Sequence, residues 1–412
     1  MSLLVFFICL VFVYGLFSER IERTVITAPI FFTTAGMLMF LFLPDLPDVH
    51  DRLEPFLLLA EVGLVLLLFT DASRTDLQIL KNIRSLPIRL LSSGLLLSIV
   101  LGALAAVIVF PGLSIWEAGI LAAILAPTDA GLGQIIVNSP HVPMKIRQAL
   151  NVEAGLNDGL SVPFLLFFIA LATVHREGNS VHLTNFIFQQ LGLGVLVGGG
   201  FGLMGGWLLG LAHRKNWMEK SWAQLAVVML PLCCAIAAET VNASMFIAAF
   251  VAGLTVQIGY KEVGNQSVEF TEVWGQLINL SVFFLFGILV LMRFQQFNLM
   301  HLLYAFLSLT VVRMVPVWIA LLGARLNRAT VLFMGWFGPR GLASIVLGLV
   351  YLERETHQPG ETTIKLTLMA TVLLSIFAHG LSAKPGISIY TRKVATLSSS
   401  SPELEGLETE KQ

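Results

Sequence analysis

NVEAGLNDGLSVP, residues 151–163, lies inside a long apolar run and carries Glu153, Asn157 and Asp158 where a lipid-facing helix would carry none. Ionisable side chains at membrane depth are expensive and mark ion or proton paths. Four-residue spacing places Glu153 and Asn157 on one helix face, and Asp158 is turned about 100° from Asn157. Gly155 and Gly159 thin the helix beside these polar groups, so a second backbone can approach closely. Two readings fit the stretch. It is either a hydrogen-bonding cluster that ties helices together, or an ion-binding carboxylate, Asp158, with its supporting shell.

The rest of the chain sets the medium. Of 412 residues, 56% are hydrophobic and 12% charged, against about 25% charged in a soluble globular domain. Mean hydropathy is +0.83. Apolar stretches long enough to span a bilayer fall at about 2–17, 25–43, 55–72, 86–110, 115–138, 145–174, 185–212, 222–240, 242–258, 273–292, 299–323, 329–352 and 362–384. The expectation is an all-α polytopic membrane protein of about thirteen transmembrane helices. The N-terminus lacks the basic start and small-residue cleavage site of a signal peptide, so it reads as a retained first helix. Residues 1–384 form the membrane domain, and the polar tail 385–412 reads as disordered.

Basic residues decide orientation. They crowd the loops at one end, from Arg20 and Arg23 through Lys145, Arg147, Arg214, Lys215, Arg325 and Arg328 to Arg392 and Lys393. The other end has only Arg52, Arg176, Arg293, Arg354 and Lys365. The crowded end is expected to be cytoplasmic, with the N-terminus outside and the C-terminus inside. The outside loop at 44–54 is acidic and reads as a solvated loop. Cys9, Cys233 and Cys234 have no metal or redox spacing and read as small core residues.

Two spans are interrupted. The fifth contains Ala126-Pro127-Thr128-Asp129-Ala130-Gly131 and the twelfth Phe337-Gly338-Pro339-Arg340-Gly341. Proline removes a backbone donor and glycine lets the chain bend. Breaks at matching places in two halves point to a transport site built on inverted repeats, with discontinuous helices 5 and 12 crossing. Crossed half-helices leave dipole ends at the midplane, positive at N-termini and negative at C-termini. Asp129 suits the positive ends and Arg340 the negative ones.

With these elements in place the chain resembles a known family. LLLFTDASRTD (66–76), AAILAPTDAGLGQIIV (122–137), NVEAGLNDGLSVP, MFIAAFVAGL (245–254), FFLFG (283–287), GWFGPRGLAS (335–344) and FAHGLSAKP (377–385) are similar to the monovalent cation:proton antiporters, in particular the prokaryotic electroneutral sodium/proton branch. The resemblance implies Na⁺ (or Li⁺) exchanged for H⁺ by alternating access, with a part in sodium transport and pH homeostasis. It implies no cofactor and no enzymatic chemistry. K⁺/H⁺ exchange on the same fold is the alternative. A cation channel is disfavoured because no filter string repeats.

The resemblance also implies roles. Asp158 would bind either cation or proton, Thr128 would offer the ion an oxygen, and Asn157 would hydrogen-bond at the crossing. Asp129 would shape the unwound part of helix 5. Glu153 would form a structural ion pair with Arg340. Some relatives have a serine ligand after that glutamate where this chain has Ala154, leaving room for water. Asp71, Glu61, Ser161 and His379 are accessory candidates, His379 rather as a packing group. A core bundle from about 86–174 and 299–384 would move against a dimerisation part, about 1–72 and 222–292. Helix 185–212 would link them in a homodimer.

Overall fold

The structure is a computed structural model, and it describes residues 2–42, 53–74, 86–177, 185–186, 188–261, 263–353, 359–396 and 401–403. Arg52, Arg354, the acidic stretch up to residue 52 and tail residues 397–400 and 404–412 lie outside the described residues.

Among the described residues the fold is all helix. In chain order the helices are α1 (Ser2–Glu22), α2 (Ala28–Phe42), α3 (Leu53–Arg74), α4 (Leu86–Val109), α5 (Ile115–Leu125), α6 (Ala130–Val137), α7 (Met144–Glu177) and α8 (Phe188–Arg214). There follow α9 (Lys220–Thr240), α10 (Met245–Gly259), α11 (Val263–Met292), α12 (Leu299–Leu309), α13 (Val311–Ala320), α14 (Arg328–Trp336), α15 (Leu342–Glu353) and α16 (Glu361–Val394). Among the described residues each of the thirteen apolar stretches falls largely on helix, the fifth and twelfth with a break. Length and apolarity by themselves mark eight spans among the described residues, beside shorter apolar helices such as α2, α5, α10 and α15. A count of thirteen crossings is therefore more than these criteria establish.

The boundary between the stretches 222–240 and 242–258 is a true helix break. Helix α9 ends at Thr240, Asn242 turns with a φ of 56°, and Ser244 caps α10 by accepting from Ile247 N. The glycine-rich run at 191–206 serves close packing. A Cβ at Gly198, Gly202 or Gly206 would run into the backbone of Ala248, Ala252 or Val256 on α10. Of the three cysteines only Cys234 is buried; Cys9 and Cys233 face outward.

Packing follows two groups. Helix α2 lies on α11, α3 on α10 and α11, and α8 on α10, while α4–α5–α7 and α12–α16 pack among themselves. Helices α3 and α10 touch α7, and α3 touches α15, where the groups meet.

The tail needs correction. Helix α16 continues through Pro385 to Val394 instead of stopping near 384. Ile387 and Tyr390 are buried, and the Tyr390 ring stacks on Phe333 at 4.2 Å. That apolar contact holds the last turns in helix despite the proline. Beyond it, Glu403 is buried and accepts hydrogen bonds from Asn327 N (2.5 Å) and Thr330 Oγ1 (3.1 Å). Lys145 Nζ donates to Pro402 O at 2.9 Å. So 385–396 and 401–403 are folded onto the bundle.

Candidate functional site

The two breaks meet. Residues 126–129 separate α5 from α6, and residues 337–341 separate α14 from α15. One backbone hydrogen bond joins them, from Asp129 N to Pro339 O at 2.8 Å. Pro127 and Pro339 lack N–H groups, so neither turn can close a regular helix through these positions.

Asp129 is the cap of α6 in an extended conformation, and its Oδ1 accepts from Leu132 N at 2.9 Å. Its Oδ2 accepts from Leu342 N at 2.5 Å, the first residue of α15. One carboxylate therefore answers the positive ends of both half-helices. Arg340 is fully buried, and its Nη1 donates to Ala126 O (3.0 Å) and Pro127 O (3.1 Å) at the C-terminal end of α5. The other negative end, that of α14, is met differently. His379 Nε2 donates to Trp336 O at 2.9 Å, and Arg313 Nη2 lies 3.5 Å from Met334 O. With the proton on Nε2, His379 Nδ1 accepts from Ser375 Oγ at 3.1 Å. That serine also accepts from Arg340 N at 2.6 Å.

Glu153 does not pair with Arg340 as the sequence reading expected. It binds Arg313, a residue of α13, through two hydrogen bonds, Nη1 to Oε1 at 2.5 Å and Nη2 to Oε2 at 3.0 Å. The reason is geometric. Arg340 sits inside the crossing, where the free carbonyls of α5 engage it, whereas Arg313 comes from a neighbouring helix onto the α7 face that carries Glu153. Gly338 makes room for this: a Cβ there would strike the Arg313 guanidinium. In the sequence Arg313 is a charge deep inside the apolar stretch 299–323, and a charge at membrane depth needs a partner; that need is the signal, though it does not say which acid answers it.

On α7 the polar groups separate by role. Asn157 Nδ2 donates to Thr128 Oγ1 at 2.7 Å, tying α7 to the unwound part of the first broken helix. Asp158 is buried, and among the described residues its Oδ1 has no hydrogen-bond partner, nor does Asn157 Oδ1. Ser161 spends its hydroxyl proton on Asp158 O within its own turn, 2.8 Å away. Asp71 on α3 packs against Gly155, three positions before Asp158 on α7; a Cβ at Gly155 would stand 3.3 Å from the Asp71 Cβ. Glu61 is ten positions back on α3, about 15 Å along the axis, and is half-buried. A cavity of about 20 Å³ lies at the crossing, lined in part by Thr128, Asp129, Glu153, Ala154 and Pro339. It is large enough for about one water.

A profile of the family described as sodium/hydrogen exchanger, transmembrane, matches residues 4–387. The chain belongs to the sodium/hydrogen exchanger family. This exchanger-family chain is 26% identical over 270 residues to a probable Na⁺/H⁺ antiporter of Schizosaccharomyces pombe, covering 60% of the chain and 35% of the relative. It is 26% identical over 223 residues to a Bacillus subtilis protein named as a sodium, potassium, lithium and rubidium/H⁺ antiporter, covering 54% of the chain and 33% of that protein. These matches span about a third of each relative's length. The sodium proton antiporter of Methanocaldococcus jannaschii shares the fold, with a TM-score of 0.72 at 18% identity over 92% of this chain and 100% of that one.

Proposed function

We propose that this family member exchanges Na⁺, or Li⁺, for H⁺ across the membrane by alternating access, one cation for one proton. The observation that carries the reading is the unpartnered Asp158 Oδ1, buried beside the Asn157–Thr128 hydrogen bond at the crossing of two broken helices. The other charges at the crossing are engaged: Asp129 by two backbone N–H groups, Arg340 by two carbonyls, Glu153 by Arg313. Asp158 is left for a mobile charge, either a dehydrated cation or a proton. Thr128 Oγ1 and a water in the cavity beside Ala154 supply further oxygens, the hard ligands that small cations take.

In this reading the helices of 86–174 and 299–384 move as a core, carrying the site past α1–α3 and α9–α11, with α8 as the link. The latter group forms the contact of a homodimer in the cell membrane, with the basic end cytoplasmic, the N-terminus outside and the C-terminus inside. No cofactor and no covalent chemistry enter. K⁺ in place of Na⁺ is a second reading, favoured by the Bacillus relative's name and by a Shewanella oneidensis relative named as a K⁺/H⁺ antiporter.

The test is a panel of cation gradients. Everted membrane vesicles carrying the protein are energised, and a pH-sensitive dye follows the proton gradient as Na⁺, Li⁺ or K⁺ is added. Collapse of the gradient by Na⁺ and Li⁺ but not K⁺ is the expected result. Collapse by K⁺ in preference selects the second reading, and no response to any of the three overturns both.

A further inference from the structure

A second cavity lies away from the crossing, on the outer face of the bundle between α13 and α14. Its volume is about 680 Å³, within the range of about 300–1,000 Å³ typical of small-molecule sites. Met314, Trp318, Leu322 and Leu332 give it an apolar wall, and Arg325 and Arg328 stand at its rim. Trp318, Leu322 and Leu332 are more than half exposed, so the wall is open to whatever surrounds the protein.

The charge at the rim is out of balance. Both arginines are exposed, and among the described residues neither guanidinium makes a hydrogen bond or an ion pair. None of the lining side chains is acidic. Arg328 is the first residue of α14, where the helix dipole is already positive and a cation is unfavourable. Arg325 takes a left-handed backbone, with a φ of 57°, a conformation that costs a side-chain-bearing residue energy. Arg89 reaches the same loop, donating to Leu322 O at 2.5 Å, and adds a third positive charge. Glu403, which comes to this end, is buried and committed to Asn327 N and Thr330. Local choices that conflict in this way belong to functional places.

We infer that this cleft is a binding site for one anionic phospholipid. Arg325 and Arg328 hold the headgroup phosphate, and an acyl chain lies along Trp318, Leu322 and Leu332. The forked guanidinium suits a phosphate oxygen pair. The end of the bundle is right as well, because the rim lies where basic residues crowd, and basic pockets between membrane helices take anionic headgroups. Trp318 stands in the last turn of α13, and tryptophan, apolar with one polar edge, is enriched where acyl chains give way to headgroups.

The test reads binding and is independent of transport. The full chain is purified in detergent, loaded with equal phosphatidylglycerol and phosphatidylcholine of the same acyl chains, and examined by native mass spectrometry. The wild type is expected to retain one phosphatidylglycerol under activation that strips phosphatidylcholine. Arg325→Gln/Arg328→Gln should reduce that preference about tenfold or more, in proportion to the two lost charge-assisted contacts. Arg392→Gln/Lys393→Gln, exposed basic residues near the end of α16, should leave it intact. Equal retention of the two lipids by the wild type overturns the proposal. So does undiminished preference in the Arg325/Arg328 variant, or an equal loss in the Arg392/Lys393 variant. Displacement of the lipid by millimolar glycerol 3-phosphate would mean an anion site without an acyl groove, and also overturns it.

Discussion

Glu153 on α7 and Arg313 on α13, 160 positions apart, meet in a two-bond ion pair with both side chains at most 5% exposed. Bidentate geometry is the arrangement in which an arginine–carboxylate pair is strongest. The pair fastens the helix that carries Asp158 to its neighbour, and Arg313 also reaches toward Met334 O at the end of α14. It thus sits between the candidate ion site and the second broken helix.

Removing either partner strands a buried charge, which typically costs about 3–5 kcal/mol. Arg313→Gln and Glu153→Gln are each expected to lower the melting temperature in detergent. The double variant should fall by clearly less than the sum, because the second change relieves the first. Glu153→Gln combined with Arg340→Gln should come closer to additive. Thermal unfolding of these four variants, and of Arg340→Gln alone, decides it. Additive losses for Glu153 and Arg313 would show that the pair does not hold the helices together.

Asp129 supports a second expectation. A carboxylate accepts from both Leu132 N and Leu342 N, whereas an asparagine has a single carbonyl oxygen and presents N–H groups on its other side. Asp129→Asn should therefore leave one helix end unsatisfied, at about 1–3 kcal/mol. Amide hydrogen exchange is expected to quicken at Leu132 or Leu342, or at both, while α7 stays protected. Unchanged protection at both amides would remove Asp129 from its place as a double cap.

What could be read from the sequence was whatever has a local signature. The breaks announced themselves through Pro127, Gly338 and Pro339, and the polar stretch on α7 through charges in an apolar run. The choice between Arg313 and Arg340 as the partner of Glu153 has no such signature. It depends on how α13 crosses α7 and on which free carbonyls already hold Arg340, and both are tertiary facts. The tail was misjudged for a related reason. Its composition is polar, but Tyr390 finds Phe333, and Glu403 finds Asn327 at the start of α14, 76 positions away.

Asp71 packs against Gly155, three positions before Asp158, yet the two carboxylates are expected to respond differently. Asp158→Asn removes the group for which cation and proton compete, so Na⁺-driven proton flux should vanish while the folded protein survives. Asp71→Asn removes a neighbouring negative charge from α3. Exchange should persist with the Na⁺ concentration for half-maximal rate raised, since one attracting charge is gone. Flux assays in proteoliposomes, run beside thermal unfolding, check both. Residual Na⁺-dependent flux in Asp158→Asn, or complete loss in a well-folded Asp71→Asn, would exchange their roles.

The final expectation concerns voltage, and it rests on Asn157. Asparagine stays neutral at every physiological pH, and here its amide is donated to Thr128, so it orients the crossing without carrying a proton. Asp129 is tied to two backbone N–H groups and Glu153 to Arg313. Each is expected to keep one charge state through the cycle, as is Asp71 if it acts only as a fixed charge. Asp158 then releases one proton for each cation bound, and the loaded site has the same net charge in both directions. A membrane potential does work of about 2.3 kcal/mol per net charge per 100 mV, so a cycle that moved a net charge would be biased strongly. Proteoliposomes with K⁺ and valinomycin, clamped at several potentials, should reach the same Na⁺/H⁺ distribution at each. A distribution that shifts with the clamp would require a second titrating group, and Asp71, the carboxylate beside Gly155, would be the first to substitute.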